Sequence, residues 1–171
     1  DGTPFVKYDF YENPKKYESD FFRFAKVTDM FITGHFYGTD APTFFTREDA
    51  KNPEFKISLV ADISCDVDGP IASTIRPSTI AEPFYGYDPQ TGKETDFNAE
   101  NVISVMAVDN LPCELPDDAS VGFGEEFAEE VFPAFFNGDK DQILNRAQIT
   151  TAYGTLTARF SYLQDFVDGE S

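Results

Sequence analysis

The sequence is poor in the residues that build metal sites and disulfide frameworks. Its 171 residues include two cysteines, one histidine and no tryptophan. Two cysteines and one histidine fall short of a structural zinc set, so we expect no bound metal. We expect Cys65 and Cys113 to be free thiols, as is usual in a reducing compartment, and therefore a cytoplasmic protein.

Positive charge is also scarce, because 13 Lys and Arg stand against 31 Asp and Glu and give a formal charge of -18. That charge repels phosphate backbones and anionic lipid surfaces, so we expect neither nucleic-acid nor membrane partners. No apolar run approaches the ~20 residues of a membrane-spanning helix. Phenylalanine, by contrast, occurs 19 times, and it fills a core without needing a hydrogen-bond partner. The composition therefore predicts a folded domain.

Three apolar segments read as buried strands, at residues 30–34, 57–63 and 102–108. Their nearly continuous apolar character is typical of strands covered on both faces in a parallel sheet. A helix capped by Ser19 is predicted before the first strand, and another from Thr46 through Asn52 is predicted between the first and the second. Residues 77–98 contain several Pro and Gly and are predicted to be turns. The pattern indicates an α/β fold.

The C-terminal part of the sequence has a different, helical character. Pro116 to Phe135 places apolar residues at helical spacing opposite glutamates, which predicts one amphipathic helix. Further helices are expected at residues 141–147 and, after a Thr155 cap, along a stripe that ends at Val167. We therefore predict a sheet domain over residues 1–113 and a helical segment over residues 114–171.

Three strand ends carry polar side chains that a ligand could use. They are Gly34-His35, Ser64-Cys65-Asp66 and Asp109-Asn110. Parallel strands place their carboxyl ends at one edge of the sheet, where α/β proteins bind ligands. We call residues 35, 64–66 and 108–111 together the strand-end edge. The glycine-rich turn that cradles a dinucleotide pyrophosphate is not found, because Gly122-Phe123-Gly124 lies in a helical acidic stretch without a preceding strand.

Two segments of the sequence resemble a known family. Residues 61–69 (Ala-Asp-Ile-Ser-Cys-Asp-Val-Asp-Gly) and 106–112 (Met-Ala-Val-Asp-Asn-Leu-Pro) are similar to strand-end segments of the saccharopine dehydrogenase and alanine dehydrogenase family. Glu114-Leu115-Pro116, Ala119-Ser120 and a long helix follow in the family's order. The resemblance implies the second half of a Rossmann-type parallel-sheet domain plus C-terminal helices that return to a catalytic domain.

The resemblance also implies an activity. It is that of an NAD(P)-dependent amino-acid oxidoreductase, in which hydride leaves a carbon bearing an amine nitrogen. The family's catalytic Lys and His lie in its other lobe. We therefore expect the chain, which starts at Asp1 without methionine, to be the C-terminal part of a bacterial saccharopine-dehydrogenase-like protein and to be inactive alone.

Roles at the strand-end edge follow from the same resemblance. Asp66 is the expected catalytic group, and the substrate is expected to contact Ser64, Cys65 and Asp66. The cofactor, with NAD favoured over NADP, is expected to contact Ile63, Ser64, Val108, Asp109, Asn110 and Leu111. Residues of these types are also common in plain turns, where Asp and Asn bind backbone N–H groups. The lone His35 is interpreted as a structural or cofactor-side residue.

The expected partners are an amino-acid substrate and the remainder of the parent enzyme. Apolar residues of the C-terminal helices also predict a homo-oligomer. The alternative hypothesis is a stand-alone or degenerate binding domain without enzyme activity. The missing glycine-rich turn favours that alternative, whereas the polar strand ends favour the enzyme.

Overall fold

Five strands form one mixed sheet in the computed structural model, which describes residues 4–38 and 40–169. The strands are β1 (Met30–Thr33), β2 (Leu59–Asp62), β3 (Phe84–Asp88), β4 (Lys93–Thr95) and β5 (Ile103–Met106). Their order across the sheet is β1-β2-β5-β3-β4. β1, β2 and β5 are parallel neighbours, while β3 runs antiparallel to both β5 and β4. The predicted α/β fold is confirmed, and its sheet is that of a partial Rossmann-like domain.

The helices are all short. They are α1 (Lys7–Glu12), α2 (Phe22–Ala25), α3 (Arg47–Lys51), α4 (Pro116–Glu126), α5 (Ile143–Ala147) and α6 (Gln164–Asp168), with 3-10 turns at Pro14–Lys16, Leu111–Glu114, Phe132–Phe135 and Ala158–Leu163. The chain divides after Glu114 into a unit that carries the whole sheet and a helical unit. The described helices are all too short or too polar to span a bilayer.

Aromatic and branched side chains fill the core on one face of the sheet. Val60 and Val105, in the adjacent central strands, are fully buried, as is Phe45. Around them the rings of Phe21 and Phe31 lie 4.7 Å apart between centroids. Ring pairs at this distance contribute about 0.5–1.5 kcal/mol beyond the area they bury. Phenylalanine thus contributes to this core, whereas many of the other phenylalanines, such as Phe36 and Phe136, are exposed.

The other face of the sheet is only partly covered. On β1, Met30 and Ile32 keep 54% and 61% of their surface exposed, whereas Thr33, on the opposite face, is buried. The prediction that the strands are covered on both faces is therefore correct for one face of the sheet only. The small residues Ala25 of α2 and Ala50 of α3 pack into the core cluster and so cover that one face.

The hairpin of β3 and β4 was not expected from the sequence. Tyr85 and Tyr87 alternate along β3 and are both buried. At the turn, the Asp88 carboxylate accepts the Gln90 N–H at 2.8 Å, and Gly92 takes a positive φ of 68°. The prediction of turns over residues 77–98 is wrong for these strands, since Pro and Gly beside the strands masked the two-residue alternation.

Two predicted helix starts had different outcomes. α3 begins next to Thr46 as predicted, and Thr46 caps it, because its hydroxyl accepts the Asp49 N–H and the Asp49 carboxylate accepts the Thr46 N–H. Ser19 lies too far from α2 to cap it, and its hydroxyl donates instead to the Phe44 carbonyl at 3.1 Å. Ser19 therefore joins its own loop to that of Phe44 through a hydrogen bond.

The helical unit is more broken than its sequence pattern indicates. α4 begins at Pro116 as predicted, but a π-helical turn (Phe127–Val131) and a 3-10 turn (Phe132–Phe135) follow Glu126. Pro133 lacks the N–H that a continuing α-helix requires. The single helix predicted from Pro116 to Phe135 is therefore wrong. Thr155 caps no helix, since its hydroxyl bonds that of Thr151.

Gly86 on β3 is expected to be indispensable to the hairpin. A Cβ there would lie 2.5 Å from the Asp96 carbonyl oxygen, so Gly86→Ala should lower the free energy of unfolding by about 1–3 kcal/mol. Urea unfolding measures the change. Gly34→Ala is the control, because its Cβ would meet only Ile63 at 3.9 Å. Equal stability of the two variants would contradict the packing.

Candidate active site at the strand-end edge

Parallel pairing brings the predicted strand ends together. The His35 N–H donates to the Ser64 hydroxyl at 2.7 Å, which joins the ends of β1 and β2. The Cys65 thiol donates to the Ala107 carbonyl at 3.1 Å, which joins the end of β2 to that of β5. Ser78 also donates its N–H to that carbonyl. The strand-end edge is therefore one continuous surface, as the sequence predicted.

The buried carboxylate of Asp62 fixes the loop after β2. Asp62 is fully buried, and its Oδ1 accepts the N–H groups of Ser64 and Cys65, each at 3.1 Å. Its Oδ2 accepts the Thr74 hydroxyl at 2.7 Å. A carboxylate that is buried away from water needs hydrogen-bond donors of this kind. The sequence analysis missed this residue, although an acidic residue at the end of an apolar strand was a visible signal.

The loop itself has an unusual backbone that positions Asp66. Cys65 has a φ of 54°, in the left-handed region that side chains other than glycine rarely adopt. The Gly69 N–H then donates to the Asp66 carbonyl at 3.0 Å. A Cβ on Gly69 would lie 2.7 Å from that oxygen and 2.8 Å from the Asp66 Cβ. The turn therefore requires glycine at 69 and fixes the backbone of Asp66.

His35 lies between the ends of β1 and β2 and points toward Asp66. Its Nδ1 is 2.8 Å from the Thr33 hydroxyl and 3.1 Å from that of Ser64. Its Nε2 is 3.8 Å from the Asp66 Oδ2. The ring also meets that of Phe44 edge-on, with centroids 5.0 Å apart. The structure thus brings the lone histidine next to the predicted catalytic carboxylate.

The remaining predicted residues differ in how exposed they are. Asp109 and Asn110 are exposed just beyond β5, and Leu111 is half-buried. Val108 as a whole is only 2% exposed, so it offers a ligand almost no surface. Ile63 is half-exposed beside Ser64. All six expected cofactor residues lie at or next to this edge, and their roles stay predictions.

The electrostatics of the edge are negative. Burial raises the pKa of the Cys65 thiol, and the charges of Asp62, Asp109 and Asp66 raise it further. A thiol with a raised pKa is a poor nucleophile at neutral pH. Carboxylates at the ends of β2 and β5 therefore act on the same thiol sulfur. An edge with this negative charge attracts cations and repels phosphate groups. Within residues 4–38 and 40–169, no three His, Cys, Asp or Glu side chains are placed to hold a metal ion.

Known proteins share much of this sequence. No family model matches the chain. It is 30% identical over 188 residues to the mitochondrial alpha-aminoadipic semialdehyde synthase of Mus musculus, which covers 93% of this chain and 20% of that protein. The Arabidopsis thaliana alpha-aminoadipic semialdehyde synthase is 26% identical over 166 residues, covering 93% of this chain and 16% of its own length.

A shorter relative matches part of the chain. The saccharopine dehydrogenase (NAD(+), L-lysine-forming) of Schizosaccharomyces pombe is 28% identical over 104 residues, 60% of this chain and 27% of that protein. The chain thus spans between 16% and 27% of the length of these curated relatives.

We expect the Asp62 carboxylate to stabilise the strand-end loop strongly. Asp62→Ala removes the acceptor of three hydrogen bonds and should lower the free energy of unfolding by roughly 3 kcal/mol. Asp62→Asn keeps one acceptor oxygen for the two N–H groups and should cost about 1 kcal/mol. Guanidinium unfolding of both variants measures the difference. Equal losses would show that the hydrogen bonds do not hold the loop.

We also expect Cys65 to react slowly with thiol reagents. Because its pKa is raised, the thiolate fraction grows only above the ordinary thiol range, and the alkylation rate should still be rising with pH at pH 9. Iodoacetamide labelling of the Cys113→Ser variant isolates Cys65. Asp109→Asn removes one of the charges that raise the pKa and should speed the labelling. A rate that levels off below pH 9 would contradict this.

Proposed function

The chain is saccharopine dehydrogenase-like by homology, and from that premise we propose that its strand-end edge forms part of the active site of an NAD(P)-dependent amino-acid oxidoreductase. One observation carries the proposal. The loop of residues 64–66 and the end of β5 are neighbours, and both place carboxylates at the same surface. These are the segments that resemble the family, and they lie where α/β enzymes bind ligands.

The proposed reaction creates positive charge on the substrate. When hydride leaves a carbon that bears an amine nitrogen, the nitrogen lone pair forms a C=N bond and the substrate becomes a cationic iminium. The Asp66 side chain is 42% exposed at the edge, so its carboxylate can lie beside that cation. A fixed negative charge stabilises charge that develops in the transition state.

Hydrolysis of the iminium completes the reaction. Water adds to the carbon of the C=N bond, a proton moves to the nitrogen, and the C–N bond breaks to release an amine and a carbonyl compound. For a saccharopine-like substrate the products are lysine and 2-oxoglutarate, and for an alanine-like substrate ammonia leaves. The step needs a base. The raised pKa of Cys65 makes it unsuitable, so we propose that the rest of the enzyme supplies the base.

The residues of the edge fit the nicotinamide side of the cofactor. A bound nicotinamide supplies the hydride acceptor, and the exposed Asn110 amide can both donate to and accept from a carboxamide. The side chain of the half-buried Leu111 would lie alongside it. The negative charge of the edge opposes the pyrophosphate, which we therefore assign to residues outside this edge. We propose NAD over NADP, as in the fission yeast relative's name.

The proposal is tested at Asp66 in the full-length protein. Asp66→Asn keeps the size of the side chain and removes its charge, so kcat for saccharopine-dependent reduction of NAD+ should fall about 10²–10³-fold. Asp68→Asn is the matched control, because it removes an exposed charge two residues away. NADH absorbance measures both rates, and circular dichroism checks the fold.

The outcomes separate the hypotheses. Equal rates in the Asp66 and Asp68 variants would remove Asp66 from the reaction. NADH formation from alanine, but none from saccharopine, would assign the alanine dehydrogenase branch. No NADH formation from either amino acid would favour the non-catalytic binding domain, and would overturn the proposed function.

A further inference from the structure

The only histidine of the chain has no part in the reaction proposed above, although it lies in the same site. His35 follows β1, and its side chain is 16% exposed. It reaches two residues of the next strand's loop, because its backbone N–H and its Nδ1 both contact the Ser64 hydroxyl and its Nε2 faces Asp66. The ring therefore connects the end of β1 to the predicted catalytic carboxylate.

The surroundings of Nδ1 determine which ring nitrogen carries the hydrogen. The Ser64 hydroxyl already accepts the His35 backbone N–H, so its own hydrogen is available to donate. The Thr33 hydroxyl, on a buried residue, has no other acceptor among the described residues. Two hydroxyl donors thus converge on Nδ1, which makes it the acceptor. The neutral ring then carries its hydrogen on Nε2.

The surroundings of Nε2 lack a hydrogen-bond partner. The atom is buried and, among the described residues, has no acceptor within hydrogen-bond distance. The nearest carboxylate oxygen, Asp66 Oδ2, is 3.8 Å away, about 1 Å beyond a hydrogen bond. A buried donor without an acceptor costs free energy. The close contact between Gly69 and Asp66 fixes the backbone of Asp66. Its partly exposed carboxylate can still rotate toward His35 Nε2 and shorten the 3.8 Å distance.

We infer that His35 is a positioning residue that donates its Nε2 hydrogen to the Asp66 carboxylate and holds that carboxylate toward the substrate nitrogen. The pairing stands on the geometry of Thr33, Ser64, His35 and Asp66. Its role in turnover rests on the proposed function. The Phe44 ring, edge-on to the imidazole, limits the movement of His35, so the carboxylate is the group that moves.

Magnetic resonance can observe the pair without any ligand. With ¹⁵N-labelled histidine the chain gives the two nitrogen signals of a single ring, because His35 is its only histidine. We expect the Nε2–H tautomer in the neutral form of the ring and a shifted Nε2 signal in Asp66→Asn. Asp68→Asn should leave the signal in place. The Nδ1–H tautomer, or identical spectra for Asp66→Asn and the parent sequence, would overturn the pairing.

Two substitutions of His35 separate positioning from packing. A glutamine amide reaches the place of Nε2, whereas an asparagine amide reaches only that of Nδ1. In the full-length protein, His35→Gln should keep kcat within about threefold and His35→Asn should lower it about 10²-fold, with KM for NAD+ unchanged in both, because a misplaced group costs that much. Equal kcat values for the two variants would overturn the positioning role.

The two proposals can fail separately. If the Nε2 signal responds to Asp66→Asn but kcat does not, the pairing holds and Asp66 has no part in the reaction; if no NADH forms from either amino acid, the proposed function itself fails. If kcat responds and the Nε2 signal does not, the function holds and the pairing fails.

Discussion

The buried carboxylate of Asp62 is the constraint on which the site depends. A carboxylate buried away from water needs donors for its lone pairs, and here two backbone N–H groups and the Thr74 hydroxyl supply them. Those bonds impose one path on the chain after β2. The left-handed Cys65 and the outward carboxylate of Asp66 follow from that path, so the loop is formed before any ligand arrives.

Pairing of the strands then determines what this loop meets. Because β2 lies between two parallel neighbours, its end contacts the end of β1 through Ser64 and the end of β5 through Cys65. The Ala107 carbonyl accepts from Cys65 and from Ser78, which adds a third segment. Residues far apart in sequence thus form one hydrogen-bonded surface, which suits preorganised electrostatic stabilisation.

The sequence was informative where structure follows from local pattern. Apolar, β-branched runs identified all three parallel strands, and Thr46 was correctly placed at the start of a helix. The sequence was silent where partners lie far away: the bond from Asp62 to Thr74 spans 12 residues and that from Ser64 to His35 spans 29. Periodicity carries no information about such pairs. It therefore located the strand-end edge but neither the buried anchor of its loop nor the role of its histidine.

The side of β1 that no described strand pairs affects whether copies of the chain associate. Met30 and Ile32 present apolar side chains on a strand that, among the described residues, pairs on one side only, and such strands are templates for aggregation. A formal charge of -18 keeps the copies apart at neutral pH. That repulsion vanishes near the isoelectric point of about 4.1, so mild acid should precipitate the protein before it unfolds.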